Sequence, residues 1–286
     1  MQIGVSTWSF QQLLQSGKET QISVIALAKR LGFAAIEFVD ITPMNGMTQA
    51  QTAERIREES DRVGLPIVNY TIGADFLAKD ANAEAERLCG QVDVARILGA
   101  VGLRHDATGG WALPADKKTK TFAQALPILA DGCRAVSAYA EQHGIATMVE
   151  NHGYFCQDSL RLAALVAAVG TQNFGALADI GNFCCADEEP AVAVGNVAPF
   201  VKHVHAKDFI IKSGDGQDPG EGFSRSRAGN YLRGTIVGHG GVPVRQCLQT
   251  LQRAGYRGYV NIEFEGIEPC EDALRVGLEN LRGYIA

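Results

Sequence analysis

The chain has 286 residues, 46% of them hydrophobic, and a formal charge of −6 from 26 basic and 32 acidic side chains. That balance excludes a protein whose main partner is a phosphate backbone, and no apolar run reaches the roughly 20 residues that a membrane span needs. Seven cysteines form no C-x-x-C pair. Met1–Phe10 lacks the basic end and apolar stretch of a secretion signal, so reduced thiols and a cytoplasmic location are expected.

The first strand is expected at Ile3–Thr7. One pattern then recurs: a helical stretch ends in Gly, and a short apolar run follows. Gly32 precedes Ala34–Phe38, Gly64 precedes Ile67–Tyr70, and Gly99 precedes Val101–Leu103. Gly144 precedes Ile145–Val149, and Gly170 precedes Phe174–Ala178. Gly just past a helix end accepts the left-handed conformation that satisfies the last carbonyls. The runs are mostly apolar rather than alternating, as strands buried on both faces should be.

Val201–His205 is the seventh expected strand. After it comes an irregular, Gly-rich segment, 209–240, which carries Arg225, Arg227 and Arg233. Val244, Cys247, Leu248 and Leu251 then form a helical stripe. Gly255 leads to the last run, Tyr259–Phe264, and Leu274, Leu278 and Leu281 mark a final helix. Eight strands alternating with helices predict an α/β fold, a single (β/α)8 TIM barrel over 1–286. An open doubly wound sheet is the alternative, disfavoured because Ser6-Thr7-Trp8-Ser9-Phe10 stands where a G-x-G-x-x-G would follow the first strand.

In such a barrel the C-terminal strand ends form the active-site rim. Glu37 ends the second strand, His105 the fourth, Glu150 the fifth, Asp179 the sixth, His205 the seventh and Glu263 the eighth. Three carboxylates and an imidazole at the ends of strands five to eight would repel or stay protonated without a cation. One divalent metal ion (Mn, Mg, Co, Zn or Fe) resolves the crowding, because a mixed oxygen and nitrogen set suits these ions. Salt bridges to Lys207 or Arg104 are the bland alternative.

Four motifs occur in order: Val149-Glu150-Asn151-His152-Gly153, Ala178-Asp179-Ile180-Gly181-Asn182, His203-Val204-His205-Ala206-Lys207-Asp208 and Ile262-Glu263-Phe264-Glu265-Gly266. Together they resemble the xylose isomerase-like barrel family, the sugar phosphate isomerase/epimerase group. The resemblance runs from Gly4-Val5-Ser6-Thr7-Trp8 to the last strand. It implies that Glu150, Asp179, His205 and Glu263 bind the metal, and that Glu150 and Glu263 also exchange a substrate proton. Two departures separate the chain from the ketose 3-epimerases. Asn182 stands where those enzymes and the AP endonucleases carry His, and Ile211 where some carry Arg.

Several further residues are expected to meet substrate. His152 sits just past Glu150, Lys207 shares the inward face of His205, and Glu37, His105 and Asn182 lie at neighbouring strand ends. Trp8, Phe10 and Trp111 would wall a sugar ring. The segment 209–240 would form a lid that delivers Arg227 or Arg233; the competing role is a contact in a homo-oligomer, dimer or tetramer. His203 should lie deeper than His205, Glu265 should hold Lys207 or stay exposed, and Asp208 should cap the following loop.

The expected function is a metal-dependent isomerase or epimerase acting on a sugar, keto-sugar or inosose, with manganese among the fitting ions. A metal polarising a ketone or hydroxyl acidifies the neighbouring C–H or O–H, and two carboxylates can move the proton from one face to the other. The alternative is a dehydratase or lyase using the same site. A non-catalytic sugar-binding protein and an AP endonuclease are weaker readings, because the acid/base pair is intact and the charge is acidic.

Overall fold

The computed structural model describes residues 1–78, 80–111 and 121–285. In chain order its strands are β1 (Gln2–Ser6), β2 (Ala35–Val39), β3 (Ile67–Ile72), β4 (Gly102–His105), β5 (Ala146–Glu150), β6 (Phe174–Asp179), β7 (Val201–Ala206), β8 (Asp208–Lys212), β9 (Ser224–Arg225), β10 (Tyr231–Thr235) and β11 (Tyr259–Ile262). Eight of these close in the order β1-β11-β7-β6-β5-β4-β3-β2, every pairing parallel. The α/β barrel expected from the sequence is the architecture observed. No helix among the described residues is long and apolar enough to cross a membrane.

The helices are α1 (Gln11–Gln15), α2 (Ser23–Leu31), α3 (Gln49–Val63), α4 (Ala81–Leu98), α5 (Phe122–Gln142), α6 (Ser159–Val169), α7 (Pro190–Val197), α8 (Val244–Arg253) and α9 (Cys270–Ile285). Their ends carry the local signals that the chain provides. Thr48 and Gln51 close a capping box on α3, and Thr121 and Gln124 close one on α5. Gly64 ends α3 at φ 68°, donating its N–H to the carbonyls of Ser60 and Asp61. The α8 stripe of Val244, Cys247, Leu248 and Leu251 is wholly buried against the barrel.

Two expectations need correction. The segment 209–240 is not irregular throughout: β8, β10 and β9 pair antiparallel into a small sheet of their own. It was hidden because Gly and charged residues interrupt its alternation. Phe10, expected at the mouth as an apolar wall, is fully buried in the core.

The barrel lumen is polar. Glu37 on β2 touches His205 on β7, a contact that can only be made across the lumen because β1 and β11 separate those strands. Strand parity then turns Asn69, Arg104, His203 and Asn261 inward as well. Gly4 and Gly102 make the room: a Cβ there would lie 2.2 Å from Asn261 Oδ1 and 2.6 Å from Asn69 Oδ1.

Candidate metal centre and active site

Glu150 and Asp179 are the last residues of β5 and β6, His205 lies near the end of β7, and Glu263 follows β11. Parallel pairing sets these ends side by side, and Asp179 is directly in register with His205. One donor atom from each residue lies within 4.8 Å of all the others, and all four residues are buried. His205 Nδ1 is 3.5 Å from Glu263 Oε1 and 3.9 Å from both Glu150 Oε1 and Asp179 Oδ2.

This set has the donor chemistry of a divalent-cation site. His205 Nδ1 is buried without a hydrogen bond, as is Asp179 Oδ2. Lys207 Nζ lies 3.2 Å from that oxygen, near enough for attraction but off the hydrogen-bonding geometry. Burial pushes the Asp179 carboxyl up to about 7; Lys207 opposes this, and the charges of Glu150 and Glu263 add to it. An ion at the centre would take the orphaned atoms as ligands and relieve the crowding.

A second layer holds the ligands in place. Glu37 receives His205 Nε2 at 2.8 Å and Asn69 Nδ2 at 2.9 Å, with His203 Nε2 at 3.3 Å. Burial disfavours its charge, but His205 and His203 outweigh burial and hold the carboxyl well below its usual range. An ionised carboxylate only accepts hydrogen bonds, so the Nε2 proton of His205 is fixed toward Glu37. Burial opposes charge on the ring, but Glu37 and Glu263 raise its pKa well above the usual value, so a cation at the centre would have to displace the Nδ1 proton to gain that lone pair. Glu37 is wholly buried and its carboxylate oxygens are taken up by His205, Asn69 and His203, which fits a group that positions a candidate ligand. Asn182 is also occupied by ligands. It donates to Glu150 Oε1 at 2.9 Å, accepts from Lys207 Nζ at 3.2 Å, and its backbone N–H bonds Asp179 Oδ1.

Each glutamate has its own cation. Lys207 Nζ is 2.6 Å from Glu263 Oε2, and Arg104 Nη2 is 2.7 Å from Glu150 Oε2. For Glu263, burial resists ionisation, but Lys207 and His205 prevail and keep the carboxyl well below its ordinary range. Glu265 supports Lys207 at 3.3 Å and accepts the Trp8 indole N–H at 2.8 Å.

Asp106 is the residue that sequence reasoning missed, while Arg104, weighed from the sequence only as a salt-bridge partner, does pair with Glu150. Arg104 Nη2 also binds Asp106 Oδ1 at 2.8 Å, and the same oxygen holds His152 Nδ1 at 2.9 Å. Burial works against charge on His152, yet the bond to Asp106 raises its pKa. His105 is a correction. Next to inward Arg104 it must point out of the lumen, and its ring lies near Phe76 and Phe174.

The two lid arginines are also elsewhere. Arg227 donates to Asp158 Oδ2 at 3.0 Å and to the Tyr154 carbonyl, and Arg233 lies over the Phe223 ring at 5.4 Å. Asp187 ties the β9–β10 hairpin down by accepting from Ser226, Asn230 and the Ala228 N–H. Asp208 accepts four backbone N–H groups, from Phe209, Gly238, Gly240 and Val242, and so caps the loop before α8.

A family model for the xylose isomerase-like TIM barrel matches residues 25–284. The chain belongs to that family. Among its relatives is the rhizopine catabolism protein MocC of Rhizobium meliloti, 22% identical over 271 residues, 91% of this chain and 79% of that protein. The fold also superposes on the probable 3-DHS dehydratase AsbF of Bacillus anthracis, with TM-score 0.74, 19% identity and 99% of both chains covered. The 3-keto-D-glucoside 4-epimerase YcjR of E. coli gives TM-score 0.72 at 15% identity, again over 99% of both chains. Two further structures of this fold are described with magnesium and with zinc bound. At these identities the structural likenesses establish the fold, and the chemistry has to be argued from the residues.

Proposed function

We propose that the protein is an isomerase or epimerase, dependent on one divalent metal ion, that moves a proton beside a carbonyl of a sugar, keto-sugar or inosose-type substrate. The observation that carries this is the pair Glu150 and Glu263. They flank Asp179 and His205 from strands that β6 and β7 separate, and each is held by a different cation. An ion held by Glu150, Asp179, His205 and Glu263 would polarise a substrate carbonyl or hydroxyl and acidify the neighbouring bond. Glu263, kept ionised by Lys207 and His205, accepts a proton from one side of the carbon. Glu150, steered by Arg104 and Asn182, passes a proton taken up from solvent to the other side of the carbon. Lys207 faces the same space and offsets negative charge that develops on a substrate oxygen. Proteins named for catabolism, epimerisation and dehydration among the similar proteins support this class of chemistry.

The second reading is a dehydratase. It is favoured by His152, half-exposed at the rim and backed by Asp106. A protonated imidazole beside the proton-abstracting centre could hand its proton to a departing β-hydroxyl. Both readings come apart in one experiment. Metal-loaded protein is incubated with ketoses, inososes and 3-keto-glycosides in deuterium oxide, and products are followed by NMR and mass spectrometry. Deuterium entry without loss of water supports isomerisation or epimerisation, and loss of water supports dehydration. Glu150→Gln and Glu263→Gln should each lower turnover by at least about two orders of magnitude, with metal content measured in the same samples. Near-normal turnover in either variant removes that residue from the mechanism, and no exchange with any substrate refutes the proposal.

A further inference from the structure

We infer that the groove running from the metal centre along α1 is a subsite for neutral carbohydrate, so that the substrate is a glycoside or short oligosaccharide rather than a free or phosphorylated sugar. The inference rests on the sugar-rearranging function proposed above. Two cavities adjoin on the C-terminal rim. The inner one, about 290 Å³, is lined in part by Trp8, Gln11, Gln15, Phe264 and Glu265. The outer one, about 500 Å³, shares Gln11 and Gln15 and continues past Glu19, Asp40 and Thr42. The inner cavity lies beside the centre, linked to it by Glu265, whose Oε1 is 3.3 Å from Lys207 Nζ.

The lining has the chemistry of a sugar site. Trp8 is 40% exposed while its N–H is tethered to Glu265. The indole is therefore held in one orientation yet remains open to a ligand, and an aromatic face suits the C–H face of a pyranose. Gln11 and Gln15 lie one helical turn apart and bond each other, Gln15 Nε2 to Gln11 Oε1 at 3.3 Å. That bond leaves an amide N–H₂ and an amide oxygen for hydroxyl groups, which both donate and accept.

Charge sets the class. Among the described residues no Lys or Arg lines either cavity, whereas Glu19, Asp40 and Glu265 do. A phosphate or carboxylate tail would meet Glu19 and Asp40 with no cation lining the groove, and a neutral polyol would meet hydrogen-bond partners. Size points the same way. Small-molecule sites span about 300–1,000 Å³, and the outer cavity, at about 500 Å³, falls within that range.

The test is a titration of the metal-loaded protein with neutral disaccharides, their component hexoses and hexose phosphates. The chain has two tryptophans, so a Trp111→Phe background makes Trp8 the sole indole reporter. At least one disaccharide should bind about tenfold tighter than its hexoses, the scale of one aromatic contact, and should shift Trp8 emission. Gln11→Ala with Gln15→Ala should cut that advantage below about threefold. Hexose phosphates binding tightest, or hexoses binding as well as every disaccharide, would overturn the subsite and leave the metal-centre chemistry standing. No binding by any sugar would also overturn it. Deuterium exchange on small ketoses then decides the proposed function separately.

Discussion

Glu37→Gln removes a buried charge while keeping the side chain's shape. The carboxylate accepts His205 Nε2 at 2.8 Å and Asn69 Nδ2 at 2.9 Å, with His203 at 3.3 Å. An amide has one acceptor oxygen, so at least one of these donors loses its partner. If the new N–H₂ turns to His205, the imidazole must accept at Nε2 and carry its proton on Nδ1, the atom that faces Asp179 and both ligand glutamates. If the oxygen turns to His205, the N–H₂ opposes Asn69 and the charge that held the tautomer is still gone. Loss of a hydrogen bond to a charged group costs about 1.5–3 kcal/mol. At 1.4 kcal/mol per factor of ten, metal affinity should fall about 10- to 100-fold, which matches the usual weight of outer partners of metal-bound histidines. Competition against a chromophoric chelator measures this, with circular dichroism to show that the fold is retained. A dissociation constant within about twofold of the parent would refute the positioning role.

Other consequences follow from the same network. Asp179, raised to about 7, binds more protons in the folded metal-free protein than in the unfolded chain between about pH 4 and 7. Its contribution to stability therefore falls as pH rises through that window, and because it must lose its proton to ligate, metal affinity should rise from pH 5.5 to pH 8; calorimetry showing no change contradicts this. Lys207→Met leaves Asp179 and Glu263 without their cation and should destabilise the metal-free protein by about 3–5 kcal/mol, with manganese restoring part of the loss. Equal denaturation midpoints for parent and variant without metal would show that Lys207 does not compensate the cluster. Arg227→Ala releases Asp158 and the Tyr154 carbonyl, so amide exchange across β9 and β10 should quicken while stability changes by no more than about 1 kcal/mol. Unchanged exchange would mean that Asp187 alone holds the hairpin.

The barrel was legible because its local signals agree with its global form. Apolar runs after helix-ending glycines located six of the eight barrel strands to within a few residues, and the capping boxes on α3 and α5 confirm that helix starts are written locally. The small sheet of β8, β9 and β10 was not legible. Its strands are short, β9 only two residues, and they are interrupted by Gly234 and by exposed charge. Its pairing comes from tertiary anchoring by Asp187 and Arg227, which no periodicity reports.

The site was legible only where strand-end position and residue chemistry coincided. Glu150, Asp179, His205 and Glu263 satisfied both conditions. His105 satisfied the same conditions and nonetheless faces outward, because β4 ends one residue out of phase with the inward set. Successive side chains on a strand alternate faces, so one known inward residue fixes the parity of its neighbours on that strand. On β4 that anchor was Gly102, which has no side chain to declare a face; only its closeness to Asn69 and Met148 shows that it lies inward. Taking Gly102 as inward makes Arg104 inward and His105 outward, and Arg104 then finds Glu150 on the neighbouring strand. Asp106, the next residue to share that face, lies beyond the strand at the rim, where it links Arg104 to His152. The inward placement of Arg104 and Asp106 thus follows from the same alternation that points to the candidate ligands, once packing supplies the phase.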